Sequence, residues 1–232
     1  MSFGKKKRSR SERLFAHIAV HGLTTRAIAA RLFCDNEETK TKNLFDPLLA
    51  RKDIHAFRWK ASSGLKFYTL SPRLAEELGV PGIRGRLTGK AINTSIAVLC
   101  FCHAMETPRA KVGPKAIKGV FGFEPPWKAA VFVLQTAPVH YGARVIVPGP
   151  ATKPDYALKL ISKESQLLLE LPSMRGYVKA GRFRFVVLVQ SEARRKLFSE
   201  QETLDRQLKR IPSDVHVDVV VVPDPSTLKI SS

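Results

Sequence analysis

Apolar positions recur at helical spacing near the start of the chain. Leu14, Ile18 and His21, with Phe15 beside them, fall on one face, and Gly22 closes the helix they define. Thr24 then offers an N-cap hydroxyl to a short second helix over residues 25–33, whose inner face is Ile28, Ala29 and Leu32. Cys34, Asp35 and Asn36 make a turn, and a third helix is expected over 37–50 with Thr41, Leu44, Phe45 and Leu48 inward. Two β-like runs follow, 54–60 and 65–70, separated by Ala61-Ser62-Ser63-Gly64 as a hairpin loop. A short helix over 73–78 ends this segment. Residues 79–90 then hold four glycines and one proline, which sustain neither a helix nor a central strand and read as a linker.

Beyond the linker the pattern is mixed. A buried helix is expected over 91–105 and a shorter one over 114–120, followed by strand-like runs at 130–134, 143–147, 156–161, 166–171 and 183–190. A charged helix over 192–209 leads into a terminal apolar strand at 215–222, and the residues after Pro225 read as frayed. The expected fold class is therefore α+β: an N-terminal helical and hairpin domain (11–78) and a mixed α/β domain (91–225) with helices packed on a sheet.

Charge sharpens this division. The 232 residues carry 39 Lys+Arg against 20 Asp+Glu, a formal +19, at an ordinary 44% hydrophobic content. Residues 1–90 hold 19 basic and 8 acidic side chains, against 20 and 12 in the rest, so the first part is about twice as basic per residue. An excess of this size on a folded scaffold points to a polyanion, with double-stranded DNA as the first candidate partner. The three cysteines, Cys34, Cys100 and Cys102, are too few for a disulfide framework and fit a reducing compartment. The basic start Lys5-Lys6-Lys7-Arg8 has no apolar stretch behind it and reads as an arm over residues 1–10 rather than a secretory signal. The apolar run 91–105 is interrupted by Asn93, Thr94 and Ser95 and is too short for a membrane span. A cytoplasmic, nucleoid-associated protein without membrane contact is the expectation.

Candidate chemistry falls first on the third helix. With its apolar face inward, Thr39, Asn43 and Ala50 point out, flanked by Lys40 and Lys42. Thr39 and Asn43 suit base edges, and Lys40 and Lys42, with Arg26 and Arg31 of the second helix, suit phosphates. Arg58, Lys60 and Lys66 lie in or beside the hairpin, where Trp59 and Phe67 alternate with them. Cys100, Cys102 and His103 do not converge on an ion, because helical neighbours two apart diverge by about 200°. His17 and His21 share a helix face and read as core or cap histidines. Neither a metal nor another cofactor is expected.

The order helix, helix, turn, helix, β-hairpin resembles a winged helix-turn-helix, and residues 23–32 resemble the first helix of that motif. Over residues 10–78 the resemblance implies that the next helix enters the major groove while the hairpin touches backbone or minor groove. In the second domain, Pro154-Asp155 followed by Glu170 resembles the paired carboxylates of the PD-(D/E)xK nuclease core, set on adjacent strands. Pro172 stands where that core carries a lysine, with Lys159 and Lys163 nearby. The expectation is a degenerate restriction-endonuclease-like fold without activity, and no catalytic residues unless Asp155 and Glu170 serve as such. The two domains together resemble the replication-relaxation proteins of plasmids and mobile elements. The reading that follows is a sequence-specific DNA-binding protein, a transcriptional regulator of a bacterial mobile element, that is not an enzyme. It would work as a homodimer, its C-terminal domain dimerising or binding a protein partner. Two alternatives stand beside it: an accessory protein of plasmid replication or conjugation binding an origin, and a metal-dependent nuclease.

Overall fold

The computed structural model describes residues 8–59, 65–80, 89–127 and 130–231. Its contacts divide the chain into two compact units, Met1–Leu99 with Asp224–Ser232, and Cys100–Pro223. The division therefore falls inside a helix rather than in the 79–90 stretch, of which residues 81–88 lie outside the described ones. The last nine residues belong with the first unit, not the second.

In the first unit, α1 (Arg10–His21) starts at a capping box. The Ser9 hydroxyl accepts from the Glu12 amide, and the Glu12 carboxylate accepts from the Ser9 amide. Ser9 and Arg10, read from sequence as part of a basic arm, thus cap and open the helix instead. Gly22, at φ 84°, closes it in the left-handed conformation that glycine adopts without penalty. α2 (Arg26–Phe33) is capped by the Thr25 hydroxyl, as expected of this region, though one residue later than Thr24. Asp35 and Asn36, both at positive φ, turn the chain into α3 (Glu38–Ala50), which buries Thr41, Leu44, Phe45 and Leu48. Strands β1 (Ile54–Arg58) and β2 (Lys66–Leu70) pair antiparallel from Ile54↔Leu70 to Arg58↔Lys66. The far edge of β2 pairs with Thr24: the Thr24 and Tyr68 amides each donate to the other's carbonyl at 2.9 Å. α4 (Pro72–Glu77) follows, and Leu14, Ile18, Ala29, Phe45, Leu48 and Tyr68 lie in one core with it.

α5 (Gly89–His103) leads to the second unit, a five-stranded sheet of order β3-β4-β5-β6-β7. β3 (Ala110–Val112), β4 (Val131–Gln135) and β5 (Tyr141–Ile146) are antiparallel; β5, β6 (Phe183–Val189) and β7 (Val217–Val221) are parallel. Parallel neighbours need crossovers. α7 (Pro154–Glu170) with α8 (Pro172–Lys179) bridges β5 to β6, and α9 (Glu192–Gln207) bridges β6 to β7. α6 (Pro114–Phe121) lies between β3 and β4. β6 is apolar on both faces, with every residue from Phe185 to Val189 buried, as a central parallel strand requires.

One expectation fails here. Residues 156–161 and 166–170 are not strands but successive turns of α7, and Leu171 is its C-cap. Their buried positions, Ala157, Leu158, Ile161, Ser165 and Leu168, repeat at helical spacing, and Pro154 suits a first turn because its ring presets φ. Short apolar runs separated by Ser162 and Ser165 mimic two strands only when that longer period is not followed through.

α7 is tied to the sheet by a buried ion pair. Arg144 of β5 donates to both Glu164 carboxylate oxygens, at 3.0 and 3.3 Å. Glu164 is only 3% exposed, and its burial raises the carboxyl above its ordinary value of 4.5 while Arg144 opposes that rise. Replacing Arg144 by Met leaves the carboxylate buried and unpaired, at an expected cost of about 3–5 kcal/mol. A carboxyl raised in the folded state holds its proton more tightly than in the unfolded chain. The variant's stability is thus fully retained below the unfolded value of 4.5 and lost as pH rises through the folded one. Urea denaturation of Arg144→Met from acid to neutral pH checks the direction.

Close packing sets a second constraint. A Cβ on Gly142 of β5 would lie 2.5 Å from the Phe121 ring, which is buried edge-on against Tyr177 and Phe183. Gly142→Ala is expected to destabilise by about 1–3 kcal/mol, with partial recovery when Phe121→Leu makes room. Thermal denaturation of the single and double variants measures the coupling.

Candidate nucleic-acid interface

The outward face of α3 carries Thr39, Lys42, Asn43, Asp46 and Ala50, all exposed. Thr39, Asn43 and Ala50 therefore stand where the helical period put them. Pro47 adds a feature that sequence reading passed over: it has no N–H to give the Asn43 carbonyl, so that oxygen lacks its intrahelical bond.

The cations around this face differ in how much charge they leave free. Lys40 is held by two carboxylates, Asp35 at 2.9 Å and Glu37 at 2.7 Å. Its hydrogen bonds to Glu37 and Asp35 raise its affinity for the proton, and the Lys40 hydrogen bond in turn lowers the Asp35 carboxyl. Lys40 therefore pins the turn before α3 rather than standing free as a phosphate contact. Arg26, the first residue of α2, pairs with Asp46 of α3 at 2.9 Å, and its guanidinium lies over the rings of Phe45 and Tyr68. The pair is half exposed, its members being neither buried nor freely solvated. Among the described residues, Arg31, Lys42, Arg58 and Lys66 have no ion-pair partner. Arg58 and Lys66 face each other as the last and first residues of the two hairpin strands. Lys60 and the hairpin loop lie outside the described residues.

Between α2 and the hairpin is a hollow of about 560 Å³. Thr25, Arg26, Arg58, Lys66 and Tyr68 line it on two sides, and Ser226, Leu228 and Ile230 of the C-terminal segment on a third. Nothing in the local sequence pattern marks these last residues as part of the first unit.

The other candidates are placed differently from expectation. Asp155 and Glu170 sit at the two ends of α7, fifteen residues or roughly 22 Å apart along a helix, too far to share a metal ion. Asp155 is paired with Lys159 of the next turn at 2.8 Å. The adjacent strands that would have brought the two carboxylates together do not exist. Lys163 is exposed on the same helix. Cys100 and Cys102 are buried, and burial pushes the Cys102 thiol up to about 12 and the His103 imidazole down to about 4. His17 lies with its Nε2 3.1 Å from the Thr24 hydroxyl, and His21 is buried beside it.

No family model, curated protein or solved structure matches this chain. The face of α3 and its flanking cations stand on their geometry alone. That geometry orders the lysines. Lys42→Ala is expected to shorten retention on a heparin column more than Lys40→Ala, whose charge is already matched by Asp35 and Glu37. Asp46→Asn, which frees Arg26, is expected to lengthen it. Elution salt concentration for the three variants tests the order.

Proposed function

We propose that the first unit is a winged-helix module binding double-stranded DNA, and that the chain is a sequence-specific regulator of a mobile element's genes. The observation that carries this reading is the convergence of three elements in one unit. α3 presents Thr39, Lys42 and Asn43; the hairpin presents Arg58 and Lys66; and Arg26 stands between them at the start of α2. The turn from α2 to α3 and the pairing of β2 with both β1 and Thr24 support the same reading. In it, Asn43 and Thr39 meet base edges in the major groove, and Lys42, Arg58 and Lys66 take phosphates on either side. The action is occupancy of a site. The second unit supplies the self-association that lets two α3 helices address half-sites one turn of DNA apart.

Fluorescence anisotropy with the gene's own upstream duplex tests this. If a dimer neutralises roughly six to ten phosphates, affinity falls by about 10³–10⁵ between about 50 and 200 mM salt. Lys42→Ala and Arg58→Ala weaken binding to all duplexes and each reduce the log–log salt slope by about two, one contact per protomer of the dimer. Asn43→Ala costs about 1–3 kcal/mol on the specific duplex and leaves the slope unchanged. Absence of salt dependence, or an Asn43→Ala variant that discriminates as the parent does, overturns the assignment. Sequencing of DNA co-purified with the protein distinguishes a promoter target from an origin.

A further inference from the structure

The C-terminal segment returns to the first unit and lies against the surface just described. After a 3-10 turn at Pro225–Thr227, the chain is extended. Leu228 and Ile230 are half-buried while Thr227, Lys229 and Ser231 are exposed, the alternation of a strand with one covered face. Leu228 and Ile230 line the hollow beside Arg26, Arg58, Lys66 and Tyr68. Ser231 reaches the turn before α3: its amide donates to the Asn36 carbonyl at 3.0 Å, and the Asn36 side-chain amide donates to its hydroxyl at 2.8 Å. Ser231 also bridges Glu37, the residue that precedes α3. The segment therefore runs from the hairpin side of the hollow to the start of α3, between the two parts that a duplex must touch together.

We infer that this segment is an autoinhibitory strap that competes with nucleic acid for the hollow, an inference that rests on the DNA-binding reading above. Three observations fit displacement rather than permanent attachment. The segment brings a single cation, Lys229, and forms no ion pair among the described residues, so no charge of its own locks it down. Its anchors are two neutral hydrogen bonds to one residue and two half-buried aliphatic side chains. Asn36 Oδ1 is also buried without a hydrogen-bond partner among the described residues, a standing cost at the segment's main anchor. A polyanion arriving at Arg58 and Lys66 meets Leu228 and Ile230 in its path and must displace them. The affinity observed for the full chain is then reduced by the fraction of molecules whose strap is open.

The test compares three full-length chains binding one fluorescent duplex of mixed sequence at fixed low salt. Leu228→Ser/Ile230→Ser opens the strap by removing its apolar anchors. Asn36→Cys/Ser231→Cys locks it when oxidised and releases it on reduction. The opened chain is expected to bind about tenfold more tightly than the parent. The oxidised locked chain is expected to bind more weakly than its own reduced form, a comparison that needs no second fold. Equal affinity of the parent, the opened and both forms of the locked chain overturns the strap and leaves the DNA-binding reading intact. Failure of every form to bind overturns both.

Discussion

Tyr68 holds the first unit together, and the candidate surface depends on it. Its backbone pairs with Ala56 on one side and with Thr24 on the other, so β2 fixes both the hairpin and the residue just before the α2 cap. Its ring meets Phe45 of α3 edge-on at 4.6 Å, a favoured aromatic geometry. The Arg26 guanidinium then lies over both rings and reaches Asp46. One buried tyrosine thus sets the distance between the start of α2, the outward face of α3 and the hairpin. Each of those elements is short, and none would hold that spacing alone.

The formal charge of the chain overstates what that surface presents. Lys40 is matched by Asp35 and Glu37, Arg26 by Asp46, and Arg51 and Arg73 both converge on Asp53. These pairs organise turns and helix ends. The residual field comes from the cations without an ion-pair partner among the described residues: Arg31 on α2, Lys42 on α3, and Arg58 and Lys66 on the hairpin. Exposed pairs contribute little to stability, so their larger effect is to select which cations remain available.

How much of this was legible in sequence depended on the range of the interactions. The α1, α2 and α3 helices and the hairpin follow from apolar period, caps and turn residues, all of which act within a few positions. The neutralised Lys40 was legible in principle, because its acidic partners lie three and five residues before it. Arg26 with Asp46 was not, since nothing local links residues on successive helices. In the second unit β5, β6 and β7 stand close to where their apolar runs put them. α7 was misread because Tyr156–Ile161 and Gln166–Leu171 are each short enough to pass for strands, and only the repeat across both reveals the helix. That error also created the pairing of Asp155 with Glu170. β3 went unseen because it is three residues long, and α8 because its first residues were read as following a strand that ended at Leu171. The return of Leu228 and Ile230 to the first unit leaves no sequence signal at all, since it joins positions about 200 residues apart.

The strap and a nucleic-acid ligand would hold the same hollow by opposite physics. Leu228 and Ile230 bind by removing apolar surface from water, an effect that salt does not screen. In the proposed reading Arg58 and Lys66 would bind phosphate by releasing counterions, an effect that weakens steeply as salt rises. Added salt therefore acts on one competitor only and favours the closed strap. The unpaired cations among the described residues are few for a DNA-binding face, and covering them with a largely apolar segment would lower non-specific retention on any polyanion. On the proposed reading, only a duplex that also satisfied Asn43 and Thr39 would gain enough to displace the strap. The apolar character of the segment's anchors is then what would sharpen discrimination: an acidic strap would weaken with salt alongside the ligand it excludes, whereas one held by Leu228 and Ile230 would not.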